Sequence, residues 1–204
     1  LETRIASFEL AFRMQREAPR VQDLSSESEA TKKLYGMDNA KTRDFGTQCL
    51  LARRFAESGV RFVQATHSYK WDAHGGLEGN HRNNATEVDK PIAGLLRDLK
   101  ARGLLQDTLV MWGGEFGRTP QINGQGGRDH WARAMFALMA GGDVQGGQAI
   151  GETDKLAGEP EGSGYSPEDI AASFFQNIGI SPQKEFMTNV GRPINLVRDG
   201  QPIK

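Results

Sequence analysis

The feature that most constrains the fold of this chain is a strand–helix–strand pattern in its middle. Val60–Thr66 reads V-R-F-V-Q-A-T, and Thr108–Trp112 is continuously apolar after its threonine, which is typical of a strand covered on both faces. Between them, an apolar stripe flanked by charged residues predicts a helix over Thr86–Arg102. Such a unit is normally parallel, and open α/β sheets bind ligands at the carboxyl ends of their strands. The loops after the two strands should therefore meet at one edge of a sheet.

Other apolar patterns and caps predict the elements on either side of this unit. They indicate helices over Glu2–Ala18, from the capping box Ser26–Glu29 to Gly36, over Thr42–Ser58, and from Ser166 to Gly179, with another buried strand over Ala134–Ala140. Strands alternating with helices predict an α/β fold.

The loop after the first strand contains three of the four histidines of the chain. It spans His67–His81 and reads H-S-Y-K-W-D-A-H-G-G-L-E-G-N-H. Because alternate residues of an extended segment point the same way, Asp72 and His74 can reach one divalent cation, and His81 adds a third ligand. His67 is left out of this set because it stands where the loop only begins. The alternative is that all of these are ordinary exposed loop residues.

A second acidic loop, G-G-E-F-G-R, follows the second strand. Glu115 offers a hard oxygen ligand suited to Mg, Ca, Mn or Zn. Arg118 is placed to hold an anionic oxyacid through its planar, bidentate guanidinium group. The plainer alternatives are that Glu115 caps the sheet edge and that the two residues form an ion pair.

The remaining histidine lies in a glycine-rich run, G-Q-G-G-R-D-H-W. Neighbouring side chains diverge in extended backbone, so one of Asp129 and His130 can bind a metal while the other supports it. Arg128 is a second candidate for binding an oxyanion. The sequence therefore predicts a divalent-metal site built from Asp72, His74, His81, Glu115, Asp129 and His130.

Composition limits the domain count and the partners. The 204 residues fit one domain with a sizeable core. The 25 basic and 26 acidic residues nearly cancel, so no bulk field attracts nucleic acid or an anionic membrane, and no apolar run is long enough to cross a bilayer. The expected partner is a small molecule, or none.

The motifs around these candidate ligands resemble a known family. The segments W-D-A-H-G-G-L-E-G-N-H, W-G-G-E-F-G-R-T-P and G-R-D-H-W, with S-E-S-E-A-T-K-K-L-Y-G and G-R-P-I-N-L near the two ends, are similar to the bacterial domain-of-unknown-function 1501 family. The resemblance covers nearly the whole chain. It implies a sulfatase-like member of the alkaline phosphatase superfamily, with a three-layer α/β/α sandwich and one or two divalent ions that activate a nucleophile and bind a phosphate or sulfate ester.

The resemblance also implies roles for single residues. Asp72, His74 and His81 would share one metal, and Glu115 would stand where sulfatases carry a strand-end Asp-His pair. Asp129 and His130 would complete the site. Because members of the family often begin with a twin-arginine export signal, the resemblance further implies an exported parent protein, periplasmic or extracellular.

The sequence departs from the related enzymes at the nucleophile. Sulfatases use Cys or Ser in C/S-x-P-x-R, whereas Cys49-Leu50-Leu51-Ala52-Arg53 lacks the proline and lies in a predicted helix, so Cys49 is expected in the core. The chain starts without Met and inside a predicted helix. We therefore expect the carboxyl-terminal part of a larger alkaline-phosphatase-like domain, with the nucleophile upstream of Leu1.

Two functions are compatible with these residues. The first is a metal-dependent hydrolase that, in the intact parent, acts on small-molecule or carbohydrate sulfate or phosphate esters, with Arg118 and Arg128 binding the oxyanion. The second is a noncatalytic module in which the same ligands hold an ion and which binds sugars or other anions. A Ser, Thr or formylglycine-motif Cys upstream would favour the enzyme.

Overall fold

A computed structural model describes residues 2–67, 70–162 and 164–203 of the chain. Backbone contacts divide the chain into two compact units, one formed by Leu1–Asp72 and Glu78–Leu104 and the other by Ala73–Leu77 and Leu105–Lys204. The expectation of a single domain stays a prediction. None of the helices in the described ranges combines the length and the apolar character that crossing a bilayer requires.

The first unit is helical, and the sequence predicted most of its helices. It contains α1 (Glu2–Gln22), α2 (Glu29–Leu34), α3 (Arg43–Glu57) and all but the first residue of α4 (Leu77–Ala101). Ser28 rather than Ser26 caps α2, because the Ser28 hydroxyl accepts a hydrogen bond from the Thr31 amide at 3.0 Å.

The core of the first unit lies where α3 and α4 meet the residue that follows α2. Its buried side chains are Tyr35, Phe45, Cys49, Leu50 and Val88. Burial raises the pKa of the Cys49 thiol to about 12, so the thiolate that a nucleophile requires is disfavoured. The prediction that Cys49 is a core residue is confirmed.

Helix α4 begins nine residues before the predicted Thr86, at Leu77. The first turns of α4 are tied to the preceding loop, since the side-chain amides of Asn80 and Asn84 both donate to the Lys70 carbonyl. These bonds from outside the helix offset the weak helix propensity of an asparagine- and glycine-containing stretch. As a result His81, predicted in a loop, lies on a helix.

A cluster of charged side chains is buried beside this core. Arg53 is 2% exposed and donates to Glu27 at 2.8 Å and to Glu57 at 2.6 Å. Its Nε lies 3.0 Å from Asp98 Oδ2, an ion-pair contact without hydrogen-bond geometry. The Tyr35 hydroxyl donates to the same Asp98 oxygen at 2.9 Å. Buried charges of this kind persist only when they are paired.

In the part of the second unit that the structure describes, there are three two-stranded antiparallel sheets and one longer helix. The sheets pair β1 (Val110–Gly113) with β4 (Ala137–Ala140), β2 (Gly117–Arg118) with β3 (His130–Trp131), and β5 (Glu185–Met187) with β6 (Pro193–Asn195). Helix α5 (Pro167–Asn177) starts at the predicted cap, where Ser166 and Asp169 form a reciprocal capping box. A 3-10 turn, Leu105–Asp107, precedes β1.

The predicted parallel strand–helix–strand unit is wrong. Val60–Thr66 is irregular in the structure; its Phe62 is 71% exposed, and the Thr66 amide donates to the Gln48 side chain rather than to a strand. Strand β1 pairs antiparallel with β4, with Met111 46% exposed rather than covered. A strand forms only where a neighbouring strand hydrogen-bonds to its backbone N–H and C=O groups. The local sequence does not show which segment that neighbour is. The observed fold is therefore mixed α/β, with helices and small antiparallel sheets.

Candidate metal centre

Two segments of the second unit bring the candidate ligands together. Ala73–Leu77 runs antiparallel to the loop 123–128, with a bridge between Gly75 and Gly126. The Arg128 amide donates to the Ala73 carbonyl at 2.9 Å. Because the chain continues from this loop into Asp129 and His130, the pairing places His74 beside both of them.

Strands β2 and β3 fix the other side of the centre. Arg118 and His130 are direct partners in the register, and the Thr119 amide extends the ladder to the Asp129 carbonyl at 2.9 Å. Opposite residues of an antiparallel pair project to the same face. The Phe116 ring lies 4.5 Å from the His130 ring, centroid to centroid. An aromatic wall and a guanidinium group thus flank the His130 imidazole.

The centre itself consists of two imidazoles and a supporting carboxylate. His74 Nδ1 lies 2.8 Å from Asp129 Oδ1, and His74 Nε2 lies 3.1 Å from His130 Nε2. Hydrogen bonds from His74 and then Asn123 hold the pKa of the Asp129 carboxyl below its usual value. Asp129 is therefore an acceptor near neutral pH, so the proton of a neutral His74 ring resides on Nδ1 and its lone pair on Nε2.

The two Nε2 atoms are joined by a hydrogen bond, and their separation also suits two ligands of one metal ion. For metal–nitrogen bonds of about 2.0–2.1 Å, neighbouring ligands are about 3.3 Å apart in a tetrahedron and about 2.9 Å apart in an octahedron. The observed 3.1 Å lies between these values. Asp72, which directly precedes Ala73 in the chain, has a carboxylate oxygen within 4.8 Å of one ring nitrogen of each histidine. All three residues are exposed.

The other predicted ligands make different contacts. His81, on α4, packs its ring 5.5 Å from the Trp71 ring in the first unit. Glu115 is an exposed carboxylate 3.4 Å from the Arg118 guanidinium. This contact is the ion pair that the sequence left open as an alternative. Metal binding by His81 and Glu115 stays a prediction.

The two candidate oxyanion-binding residues differ in their surroundings. Arg118 is 17% exposed, with its guanidinium carbon 5.4 Å from the centre of the Phe116 ring. Arg128 donates to the Thr119 carbonyl at 2.8 Å, which stabilises the turn before the centre. Because Arg118 is also the direct partner of His130 in the β2–β3 register, it is the better placed of the two to contact an anion bound beside His130.

Sequence reasoning missed two residues that hold the centre in place. The Thr119 hydroxyl accepts a hydrogen bond from the Asp129 amide at 3.1 Å. Asn123 donates to both the His74 carbonyl and the Asp129 carboxylate. The one local signal was the Asn-Gly pair at 123 and 124, which indicates a turn and not a contact with a histidine 49 residues away.

Replacing Gly127 by alanine is expected to disrupt the centre. A Cβ atom at this buried glycine would lie 2.0 Å from the His74 carbonyl carbon and 2.3 Å from the Gly75 amide nitrogen. Both neighbours are backbone atoms, so the two segments must separate, at a cost of about 1–3 kcal/mol. Gly124→Ala is the matched control, since a Cβ there meets nothing within 4 Å. Urea unfolding and zinc titration of both variants provide the measurement; equal values would contradict the tight packing.

A family model described as "Protein of unknown function (DUF1501)" matches residues 1–204. No curated protein and no solved structure matches the chain.

Proposed function

Since the chain belongs to the DUF1501 family, whose description assigns no activity, we propose its function from the candidate centre: His74, His130 and Asp72 bind a divalent cation that serves the hydrolysis of sulfate or phosphate esters in the intact protein. The observation that carries the proposal is the 3.1 Å separation of the two Nε2 atoms, with Asp129 behind His74. A carboxylate behind a ligating imidazole is a common arrangement in metal sites, where it fixes the tautomer and orients the ring.

The ligand set favours zinc among the cations considered. Imidazole nitrogen suits zinc, whereas Mg and Ca prefer ligand sets made of oxygen, and Mn also binds mainly oxygen. Two imidazoles and one carboxylate leave a fourth position for water or a substrate oxygen. A bound cation would supply Lewis-acid polarisation of the ester oxygens.

Arg118 supports the choice of substrate class. It stands directly opposite His130 in the β2–β3 register, so its guanidinium lies on the same face as the imidazole. A planar guanidinium binds two oxygens of a sulfate or phosphate group at once. We propose that Arg118 holds the oxyanion next to the cation, and that the centre belongs to a larger α/β/α domain of the alkaline phosphatase type.

A noncatalytic binding module is the second candidate, and the exposure of the centre favours it. Asp72, His74 and His130 are all exposed, whereas enzymes usually exclude water from a reacting centre. An ion at this position would hold the segment Ala73–Leu77 against β3, and Arg118 would bind sugars carrying anionic groups, or other anions, without turnover.

Elemental analysis and turnover separate these functions. We expect purified protein to carry about one zinc ion per chain, and the full-length parent to hydrolyse an aryl sulfate or an aryl phosphate in a reaction that EDTA abolishes. Bound zinc without turnover of either ester by the parent would favour the binding module. Absence of zinc, manganese, magnesium and calcium from protein titrated with each of them would overturn the site.

A further inference from the structure

Asn123 connects the turn before the candidate centre to two residues of the centre, His74 and Asp129. Its side-chain Nδ2 donates to the His74 carbonyl at 3.0 Å and to Asp129 Oδ1 at 3.1 Å. Its Oδ1 accepts from the Gln125 amide at 3.0 Å and from the Gly127 amide at 3.0 Å. A primary amide has two hydrogens and two oxygen lone pairs, and all four are used.

These partners fix which way the amide faces. Backbone amides can only donate and the carbonyl only accepts, so the oxygen must face the turn and the nitrogen must face His74 and Asp129. Aspartate would keep the two accepted bonds and lose both donated ones, while glutamine would displace the group by one methylene. The position therefore requires an asparagine if both sides are to be bonded.

The two donated bonds control different aspects of the same histidine. The bond to the His74 carbonyl holds the backbone from which the imidazole projects. The bond to Asp129 holds the carboxylate that sets the rotation and tautomer of that imidazole. Thr119 fixes the Asp129 backbone from the opposite side. With the backbone and the ring both fixed, His74 Nε2 is directed toward His130 Nε2.

We propose that Asn123 is a positioning residue that prearranges His74 for the divalent cation. The inference rests on the proposed function, because it assigns Asn123 a role at the same centre. Residues that orient metal ligands from behind typically contribute about 10- to 100-fold to metal affinity. Loss of the Asn123 donors should therefore weaken cation binding by about that factor without unfolding the chain.

The test uses Asn123→Asp, which keeps the two bonds that the turn donates and replaces the two donors by a carboxylate oxygen that faces the His74 carbonyl and the Asp129 carboxylate. The added carboxylate would by itself attract a cation, so weaker zinc binding measures lost positioning and not lost charge. We expect about 10- to 100-fold weaker zinc binding by competition with a chromophoric chelator. Asn189→Asp makes the same chemical change in the exposed turn between β5 and β6, and should leave the affinity unchanged.

A measurement without metal makes the outcome independent of the proposed function. Long-range proton–nitrogen NMR of the four histidines at pH 8 should show a single His74 tautomer in the wild type and a mixture in Asn123→Asp. Failure of the wild type to bind any cation would overturn the proposed function. The tautomer measurement would still show whether Asn123 orients the His74 ring. The positioning role is overturned if Asn123→Asp keeps the single His74 tautomer. It is also overturned if Asn123→Asp binds zinc as tightly as the wild type does. If Asn123→Asp does not fold by circular dichroism, Asn123→Ser decides by the same two readouts.

Discussion

Replacing His74 by alanine is expected to weaken zinc binding by more than about a hundred-fold, because a direct ligand contributes more than the residues that only orient it. His74 supplies one of the two facing Nε2 atoms, and its removal also leaves Asp129 without an imidazole to orient. His130→Ala should have a similar effect. The measurement is zinc content after dialysis, followed by titration with zinc.

His81→Ala is the informative comparison for this experiment. The variant removes a ring that packs against Trp71 in the first unit and should retain the zinc affinity of the wild type if His74, His130 and Asp72 are the ligands. A loss equal to that of His74→Ala would instead add His81 to the site, as the sequence predicts. Retention of zinc by both His74→Ala and His130→Ala would remove the centre altogether. Glu115→Ala tests the predicted oxygen ligand in the same way.

The sequence predicted the helices well because their signals are local. The cap Ser166, the first-turn Asp169 and the terminal Gly179 all act within the helix that they delimit. The start of helix α4 was not predicted by such local signals, because its first turns depend on hydrogen bonds to the Lys70 carbonyl, which lies outside the helix.

Strand pairing was not predictable from the same signals. The residues Val60–Thr66 have the apolar alternation of a strand. Such alternation indicates only that a segment can form a strand, and it does not show whether a neighbouring strand pairs with it. The true partner of β1 is β4, which the sequence identified as a strand but not as a neighbour.

The sequence singled out several residues that the structure brings together, because metal binding is limited to a few residue types. The chain has four histidines, and two of them, His74 and His130, lie in glycine-rich loops close to an aspartate, a pattern that residue types alone reveal. What holds them, by contrast, is an asparagine and a glycine whose roles depend on distances. Gly127 is required because the His74 backbone occupies the space of a Cβ atom at that position. Asn123 is required because its side-chain nitrogen donates to two acceptors of the centre.

Replacing Arg53 by methionine is expected to lower the free energy of unfolding of the first unit by about 3 kcal/mol. The change leaves Glu27 and Asp98 buried without the charge between them. Breaking a buried ion pair typically costs about 3–5 kcal/mol, and the low end applies because Arg54 still pairs with Glu27 and Arg102 with Asp98. Urea unfolding followed by circular dichroism at 222 nm gives the measurement, since most of the helix lies in this unit.

The same cluster is expected to make the stability of the first unit depend on pH in the acid range. Burial of Glu27 tends to raise its pKa, but hydrogen bonds from Arg54 and Arg53 outweigh burial and hold the pKa below its usual value. A carboxyl group with a depressed folded-state pKa contributes stability above its unfolded-state pKa and loses it as the pH falls through the folded-state value. With one donor removed, the Arg53→Met variant should lose its remaining stability at a higher pH than the wild type.

Two further variants separate lost charge pairing from lost packing. Arg97→Met, an exposed arginine on α4, should change stability by less than about 0.5 kcal/mol and shows the effect of the substitution alone. The double variant Arg53→Met with Glu27→Gln replaces the carboxylate that has lost one of its two arginine partners by a neutral amide, whose oxygen can still accept from Arg54, so it should recover part of the loss. No recovery would mean that Arg53 stabilises the first unit through packing, and that the buried charge pairs contribute little to its stability.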